Sequence, residues 1–517
     1  MTEIAHNLLT EPLIETDVGW LTLPGVLAAM ARGEVTCFRA LRPHQRPAWH
    51  MFLVQLGVLA LDKAGQTNLP GDESTWRGAL RGLTIAFPDD APWCLLAPDG
   101  QPAFLQPPAA KDGKWTEVET PDNLDMLITS RNHDLKMAVA RNAGPQDWIY
   151  ALVSVQTMEG YSGPTWNGVA RMNGGSSSRA MVTLAPALPD GKSVHPSLWW
   201  QRDTRRLLAD RSPSNGLSLV WLMEWMDAVQ LRIGEDLDPL FIEICRRIRL
   251  FEKDGALMAR KAGSKKSRIA NVNGMTDDPW APTSIRNAKS LTLGDSGDFT
   301  YAKLREVLMS GEWAAAPMAK PAPDEVPRDM LLVAEAFARG NSKTGGFRSR
   351  VIPISKSVVK RMLGATATDQ SAALIEDIKR VDIALRNALA LMAANGLREN
   401  IKTDHYARTN PARIHLDQQA DRMFFPVLWD MLAAETQDVR LQIRARFMLN
   451  LSDHARAIYR EALPAIPCKA VMRPRAEARA TDRLEAGLKD ALGKSDLADH
   501  LPKHQDPNLQ KREPSDA

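Results

Sequence analysis

The chain has 517 residues, more than one compact core holds, so two or three domains are expected. Its 44% hydrophobic and 25% charged residues suit a water-soluble globular protein. A net charge of +3 excludes coating of nucleic acid by bulk charge but leaves room for local basic patches.

The four cysteines (Cys37, Cys94, Cys245, Cys468) are far apart, which argues against a cysteine zinc site and a disulfide framework. No run reaches the ~18 apolar residues of a membrane span. The acidic start, MTEIAHNLLTEPLIETD, has no apolar signal core, so a cytoplasmic protein without membrane contact is expected.

In chain order, Leu8-Leu9, Pro12–Ile14 and Trp20–Pro24 read as short strands, with Thr22 or a neighbour leading into a helix over Gly25–Arg32. Pro47–Lys63 is almost wholly apolar at helical spacing and predicts a buried helix. Residues 64–125, rich in Gly, Pro and Asp, read as mixed and loop-rich. Gln146–Gln156 predicts another buried helix, running directly into a glycine-rich segment.

Residues 181–186 predict a strand, and Ser197–Ala209 a helix whose Trp199 and Trp200 belong to the core rather than to a base-stacking platform. Residues 239–251 alternate as a strand, with helix left open because short apolar runs are ambiguous. Residues 254–325 read as a polar surface excursion that closes in a linker at Ala315–Pro323. Beyond about residue 355 glycine thins out. Apolar faces at Leu374–Leu391, Phe424–Leu432, Leu441–Leu463 and Arg473–Leu492 predict a helical bundle.

The run Gly160–Arg179 carries glycines at 160, 163, 168, 174 and 175, interleaved with Arg171 and Arg179. Glycine lets bare backbone amides approach a ligand, and Asn, Ser and Arg suit phosphate oxygens and base edges. The spacing fits neither a dinucleotide fingerprint nor a nucleophile elbow, so Ser162 is a poor nucleophile. Gly340–Gly346 fails the P-loop pattern and reads as a hairpin turn whose polar tip could enter a groove, flanked by Arg339, Arg348 and Arg350.

Lys261–Arg268 is a basic run, either a solvated loop or a nucleic-acid contact. In Ser130–Lys136 one His133 beside one Asp134 makes a weak metal site. The run reads as a surface loop, in which Arg131, Asn132 and Lys136 are candidate RNA or DNA contacts. No metal and no cofactor are expected.

Taken in order, several pieces resemble the CasA family, the large subunit of type I-E CRISPR Cascade. They are Asn7–Ile14, Leu21–Pro24, Ala103–Gln106, Thr129–Lys136, Gly160–Gly163 with Ala170–Gly175, Leu237–Arg249, Asn271–Gly274 and 340–354. The resemblance implies an α+β chain. A large mixed α/β domain over 1–355 would carry the recognition loops, a four-helix bundle would span 356–495, and 496–517 would form a polar, disordered tail.

It implies no enzymatic activity. It implies instead a subunit that works with the other Cascade subunits and the guide crRNA. Such a subunit reads the PAM of double-stranded target DNA from the minor groove, helps open the duplex and docks a helicase-nuclease. Carried over, the PAM-reading loop falls on Gly160, Ser162 and Gly163, with Gly163 the contact residue. The family's minor-groove lysine falls nearest Ser267, leaving Lys265 or Lys266 to supply the cation, with Arg268 beside them. The wedge falls on Ser342, Lys343 and Thr344, with Lys343 where the family has a glutamine. Arg131, Asn132, Lys136, Arg171, Arg179, Arg348 and Arg350 would contact RNA or DNA backbone. The rival readings are a metal-dependent nuclease using His133 and Asp134, and a scaffold that binds only protein.

Overall fold

The computed structural model describes residues 4–109, 114–125, 143–159, 171, 179–226, 229–270, 276–340, 343–493, 497 and 500. The chain divides into two compact units. One comprises Met1–Phe299 with Glu306–Val359, the other Thr300–Arg305 with Lys360–Ala517. It is a mixture of helices and short sheets followed by a wholly helical C-terminal region, an α+β architecture.

In the first unit, helix α1 (Leu23–Ala31) starts where Thr22 Oγ1 accepts from the Gly25 amide at 2.9 Å. Such an N-cap contributes about 1 kcal/mol. Helix α2 (Arg46–Lys63) is buried from Pro47 to Leu61 and runs through the core, as its unbroken apolar sequence predicts. Helix α3 (Glu73–Gly82) lies inside the stretch read as loop-rich. Asp72 caps it by accepting from the Thr75 amide at 2.8 Å, and Trp76, Ala79 and Leu80 bury one face. Those three residues have helical spacing, but they sit among glycines and polar residues that hide it. Helices α4 (Pro145–Thr157) and α5 (Pro196–Ala209) complete the layer around α2.

Trp199 and Trp200 are core residues. The Trp199 ring stacks on His50 at 3.4 Å, and Trp200 Nε1 donates to the Leu53 carbonyl at 3.0 Å. Gly57 leaves room for that contact, since a Cβ there would lie 3.0 Å from Trp200 Cζ2.

Two three-stranded sheets flank this core. In the first, Met330–Gly340 lies between Lys343–Ile354 and Met181–Pro186, antiparallel to both. In the second, Ala256–Ala262 lies between Trp115–Val118 and Arg247–Lys253, again antiparallel. The run read as one strand over 239–251 is two, Leu237–Ile242 and Arg247–Lys253. It breaks because the amides of Cys245 and Arg246 both donate to Gln156 Oε1 at 2.9 Å instead of to a neighbouring strand.

Residues 254–325 are also more deeply built in than expected. They include the central strand of the second sheet and buried Trp280, Phe299 and Met318. The expected linker is pinned at Met318, whose carbonyl accepts from Thr183 Oγ1 and Arg202.

In the second unit, α6 (Tyr301–Met309) enters with its first residues. The Tyr301 hydroxyl donates to Asp417 at 2.7 Å and its amide to Asp421 at 2.6 Å. Four long helices follow: α7 (Ala365–Ala393), α9 (Asn410–Ala433), α10 (Gln437–Ala462) and α11 (Arg473–Gly493), with the short α8 (Thr403–Ala407) between the first two. Helix α7 packs against the other three. Its approach to α11 is close enough that a Cβ on Gly487 would lie 2.8 Å from Ala384 Cβ. Arg444 and Asp377 form a buried two-bond ion pair, 2.6 and 2.9 Å, between α10 and α7. Among the described residues no helix is long and apolar enough to cross a membrane.

Candidate nucleic-acid interface

The sequence candidates belong to the first unit. Of them, Arg131, Asn132, Lys136, Gly160, Ser162, Gly163 and Ser342 lie outside the described residues, as do His133 and Asp134.

The long hairpin keeps register from Met330↔Ile354 to Gly340↔Lys343, with a bulge between Ala338 and Arg339. Lys343 is therefore the first residue of the returning strand and Thr344 the second. Alternation along the strands sends Phe337 and Phe347 to one face, where their rings meet at 5.6 Å, edge to face. Two residues along on the same face Glu335 is buried, paired with the Arg46 guanidinium, and accepts from Ser349 Oγ at 2.8 Å.

The hairpin is braced by the segment Leu293–Phe299. The Arg339 amide donates to the Leu293 carbonyl at 3.0 Å, Arg348 Nε to Gly297 O at 3.1 Å, and Arg350 to Phe299 O at 2.9 Å. Arg348 and Arg350 are half-buried and give part of their donor capacity to this brace. Gly345 is required here, because a Cβ would overlap the Asp295 carbonyl oxygen. In the sequence this glycine is visible only as part of a turn.

The segment after residue 125 departs from the same wall. Asp125, its last described residue, is buried and bonds His44 Nε2 at 2.5 Å. The His44 ring lies edge-on to Phe337 and Phe347, at 6.1 and 6.4 Å.

The glycine-rich segment leaves α4 through buried Met158 and Glu159 and returns at Arg179, whose amide donates to the Met158 carbonyl at 3.1 Å. It then continues into Met181–Pro186, the strand that pairs with the hairpin from Met181↔Glu335 to Pro186↔Met330.

Three candidates are corrected. Arg171 and Arg179 were read as contacts to a nucleic-acid backbone, but both are only 1% exposed. Arg171 donates to the carbonyls of Phe241 and Pro239 at 2.6 and 2.8 Å, with its guanidinium 3.7 Å over the Phe241 ring. Arg179 binds Asp278 through two bonds and Gln55 through a third. Glycine-rich surroundings make them look like surface donors, yet both side chains are held inside the core.

Arg268 is likewise 1% exposed, and its carbonyl is tied to Leu231 in a strand-like bridge. Burial, with Arg247 close by, pushes its guanidinium down to about 10. Ser267 is committed to Gln230 and to the Ile269 carbonyl. Lys265 and Lys266 remain exposed, just past the end of the strand Ala256–Ala262.

Glu243, which the sequence reading used only as a strand residue, lies buried among these groups. Burial pushes its carboxyl up to about 7, against the opposing pull of Arg171 and Arg179.

No protein-family model and no curated protein matches the sequence. Solved structures do. Cse1 from Acidimicrobium ferrooxidans superposes with a TM-score of 0.66 at 14% identity, covering 95% of this chain and 98% of that one. CasA (Cse1) from Thermus thermophilus gives 0.61 at 14% identity, covering 94% and 100%. Cse1 from Thermobifida fusca gives 0.61 at 13% identity, covering 94% and 98%. Across both units, then, this chain has the fold of the Cse1/CasA proteins.

Proposed function

We propose that this chain is the non-catalytic large subunit of a type I-E Cascade complex. In this reading it works beside other Cascade subunits and a guide crRNA, reads the PAM of double-stranded DNA from the minor groove, and docks a helicase-nuclease. The observation that carries the reading is the likeness to Cse1/CasA structures over at least 94% of both chains.

The local geometry supports the division of labour. Gly160–Gly163 follows helix α4, which ends at Thr157, and in this reading its glycines let backbone amides meet a base edge. Lys265 and Lys266 are exposed cations suited to phosphates. The tip at Ser342, Lys343 and Thr344 extends from a hairpin braced along its length, as a wedge between base pairs requires. Unstacking one base step costs a few kcal/mol. Contacts beside the flank offset part of that cost, and pairing with the guide then carries the sequence reading.

The test is reconstitution of the chain with partner subunits and a crRNA, followed by binding to duplexes that share one target but differ in flanking sequence. Preference for one class of flank, lost in Gly163→Asp while assembly is retained, supports the reading. Equal binding to all flanks by the wild type, or metal-dependent cleavage by the chain alone that is lost in His133→Ala, overturns it.

A further inference from the structure

We propose that the cleft between the C-terminal half of α5 and residues 322–328 is a binding site for a nucleoside phosphate. The site is separate from the flank-reading segments and does not depend on the functional reading above.

Helical spacing builds one wall. Leu198, Arg202, Arg205 and Ala209 follow one another along α5 at steps of three or four residues, with Arg206 beside them, and all line the cleft. Glu325, Val326 and Arg328 line it from the other segment. Its volume is about 410 Å³, within the roughly 300–1,000 Å³ of small-molecule sites.

The four arginines are not equally committed. Arg202 spends its donors on Glu325 and Asp203 and on the carbonyls of Leu184, Met318 and Lys320. Arg206 makes one bond among the described residues, to the Lys320 carbonyl at 2.6 Å. Arg205 is exposed and Arg328 half-buried, and neither makes a hydrogen bond or ion pair among the described residues. Burial, with Arg202 close by, pushes the Arg206 guanidinium down. Like charges one helical turn apart are mutually unfavourable. The last turn of a helix favours cations through its dipole, but Arg328 comes from another segment, so the helix does not account for the convergence. An oxyanion does. The guanidinium fork matches phosphate oxygens, and Arg205, Arg206 and Arg328 all have donors to spare.

The rest of the lining selects the ligand. Asp210 and Asp324 are exposed at the same cleft and enter no ion pair among the described residues. A long polyanionic strand would run against both. A single nucleotide presents its phosphate to the arginines, while its ribose hydroxyls or base amino groups donate to the carboxylates, which only accept. Leu198 and Val326, the latter 63% exposed, offer apolar surface to a base.

Isothermal titration calorimetry of the full chain at low salt tests the site with AMP, GMP, CMP and UMP, against the matching nucleosides and inorganic phosphate. The expected result is saturable one-to-one binding of at least one nucleotide. Its nucleoside and inorganic phosphate should each bind at least roughly tenfold more weakly, since each keeps only part of the contacts. Arg205→Gln with Arg328→Gln removes two forks that hold nothing in the fold, and should weaken nucleotide binding roughly tenfold with the melting temperature unchanged. A 5′-phosphorylated tetranucleotide separates two sources of the same chemistry. Binding as tight as the mononucleotide's assigns the site to a strand end, and weaker binding assigns it to a free nucleotide. No saturable nucleotide binding, or binding indifferent to the double substitution, overturns the proposal. So does binding of hexaglutamate in preference to every nucleotide, which would mark the cleft as a seat for an acidic protein segment.

Discussion

Arg179 and Asp278 meet inside the first unit through two parallel bonds, Nε to Oδ2 at 2.6 Å and the second guanidinium nitrogen to Oδ1 at 3.0 Å, with both side chains 1% exposed. The Trp280 amide adds a third bond to the same carboxylate at 3.1 Å, and Val182 donates to the Trp280 carbonyl at 2.8 Å. The pair therefore ties the exit of the glycine-rich segment to the sheet that carries the hairpin. Asp278→Ala leaves a buried guanidinium without its counter-charge, and the expected loss is about 3–5 kcal/mol. Urea denaturation followed by tryptophan fluorescence measures it. A loss under about 1 kcal/mol, the range of an exposed pair, would show that water reaches this site.

Glu243 makes stability depend on pH. The groups facing it are Arg171, Arg179 and Asp278, and burial outweighs the two cations, raising its carboxyl from 4.5 to about 7. Between those values the folded chain binds a proton that the unfolded chain has already released. Stability is therefore greatest, for this group, below about pH 4.5 and falls as pH rises to about 7, with no further change above. The span is on the order of 3 kcal/mol. Glu243→Gln removes the titration, so its advantage over the wild type should grow between pH 5 and pH 8. Parallel stability curves for the two proteins would contradict the assignment.

How far the sequence was readable depends on what kind of signal each element leaves. Helices α2, α4 and α5 and the four long bundle helices are visible because burial on one or all faces writes apolar residues at helical spacing. Helix α3 carries that spacing in only Trp76, Ala79 and Leu80 and is obscured by its glycines. The strands at 256–262 hide for a different reason. Ala259, Arg260 and Lys261 gain their place from neighbours on both sides, a tertiary effect that no local pattern records.

The candidate site shows the same divide. The hairpin is legible from its turn chemistry, and the exposure of Lys265 and Lys266 from their charge. Arg171, Arg179 and Arg268 were misread because residue type is a guide to exposure only on average. The buried partners that hold them, Gln55, Asp278 and two carbonyls, are distant in sequence.

Gly345 tests whether the hairpin must be rigid. Adding a single methyl in Gly345→Ala pushes the returning strand off the Asp295 backbone, where neither side is a flexible side chain that could give way. The body of the sheet, paired from Met330↔Ile354 onward and fixed by Glu335, should persist. Overpacking of this kind costs about 1–3 kcal/mol. In the reconstituted complex the variant should bind a melted target like the wild type and open a fully paired one more slowly, read by fluorescence of a base analogue beside the flank. Equal opening rates would remove the hairpin from duplex opening.

Lys266 and Arg268 stand two residues apart in one basic run, yet the structure gives them opposite exposure, and salt dependence separates their roles. A cation on a phosphate releases about one counterion on binding, so removing it lowers the salt slope of log affinity by about one and weakens all flanks alike. Lys265→Ala with Lys266→Ala should therefore reduce the slope by up to about two while leaving the ratio between flanks nearly unchanged. Arg268→Ala should leave the slope as it is and lower thermal stability instead, because its guanidinium lies in the core beside Arg247 and Met223. Titrations of duplex binding over a range of salt concentrations, paired with melting curves of each variant, distinguish the two outcomes. A slope change in Arg268→Ala without loss of stability would show that this arginine reaches DNA, and would return it to the interface from which its burial excludes it.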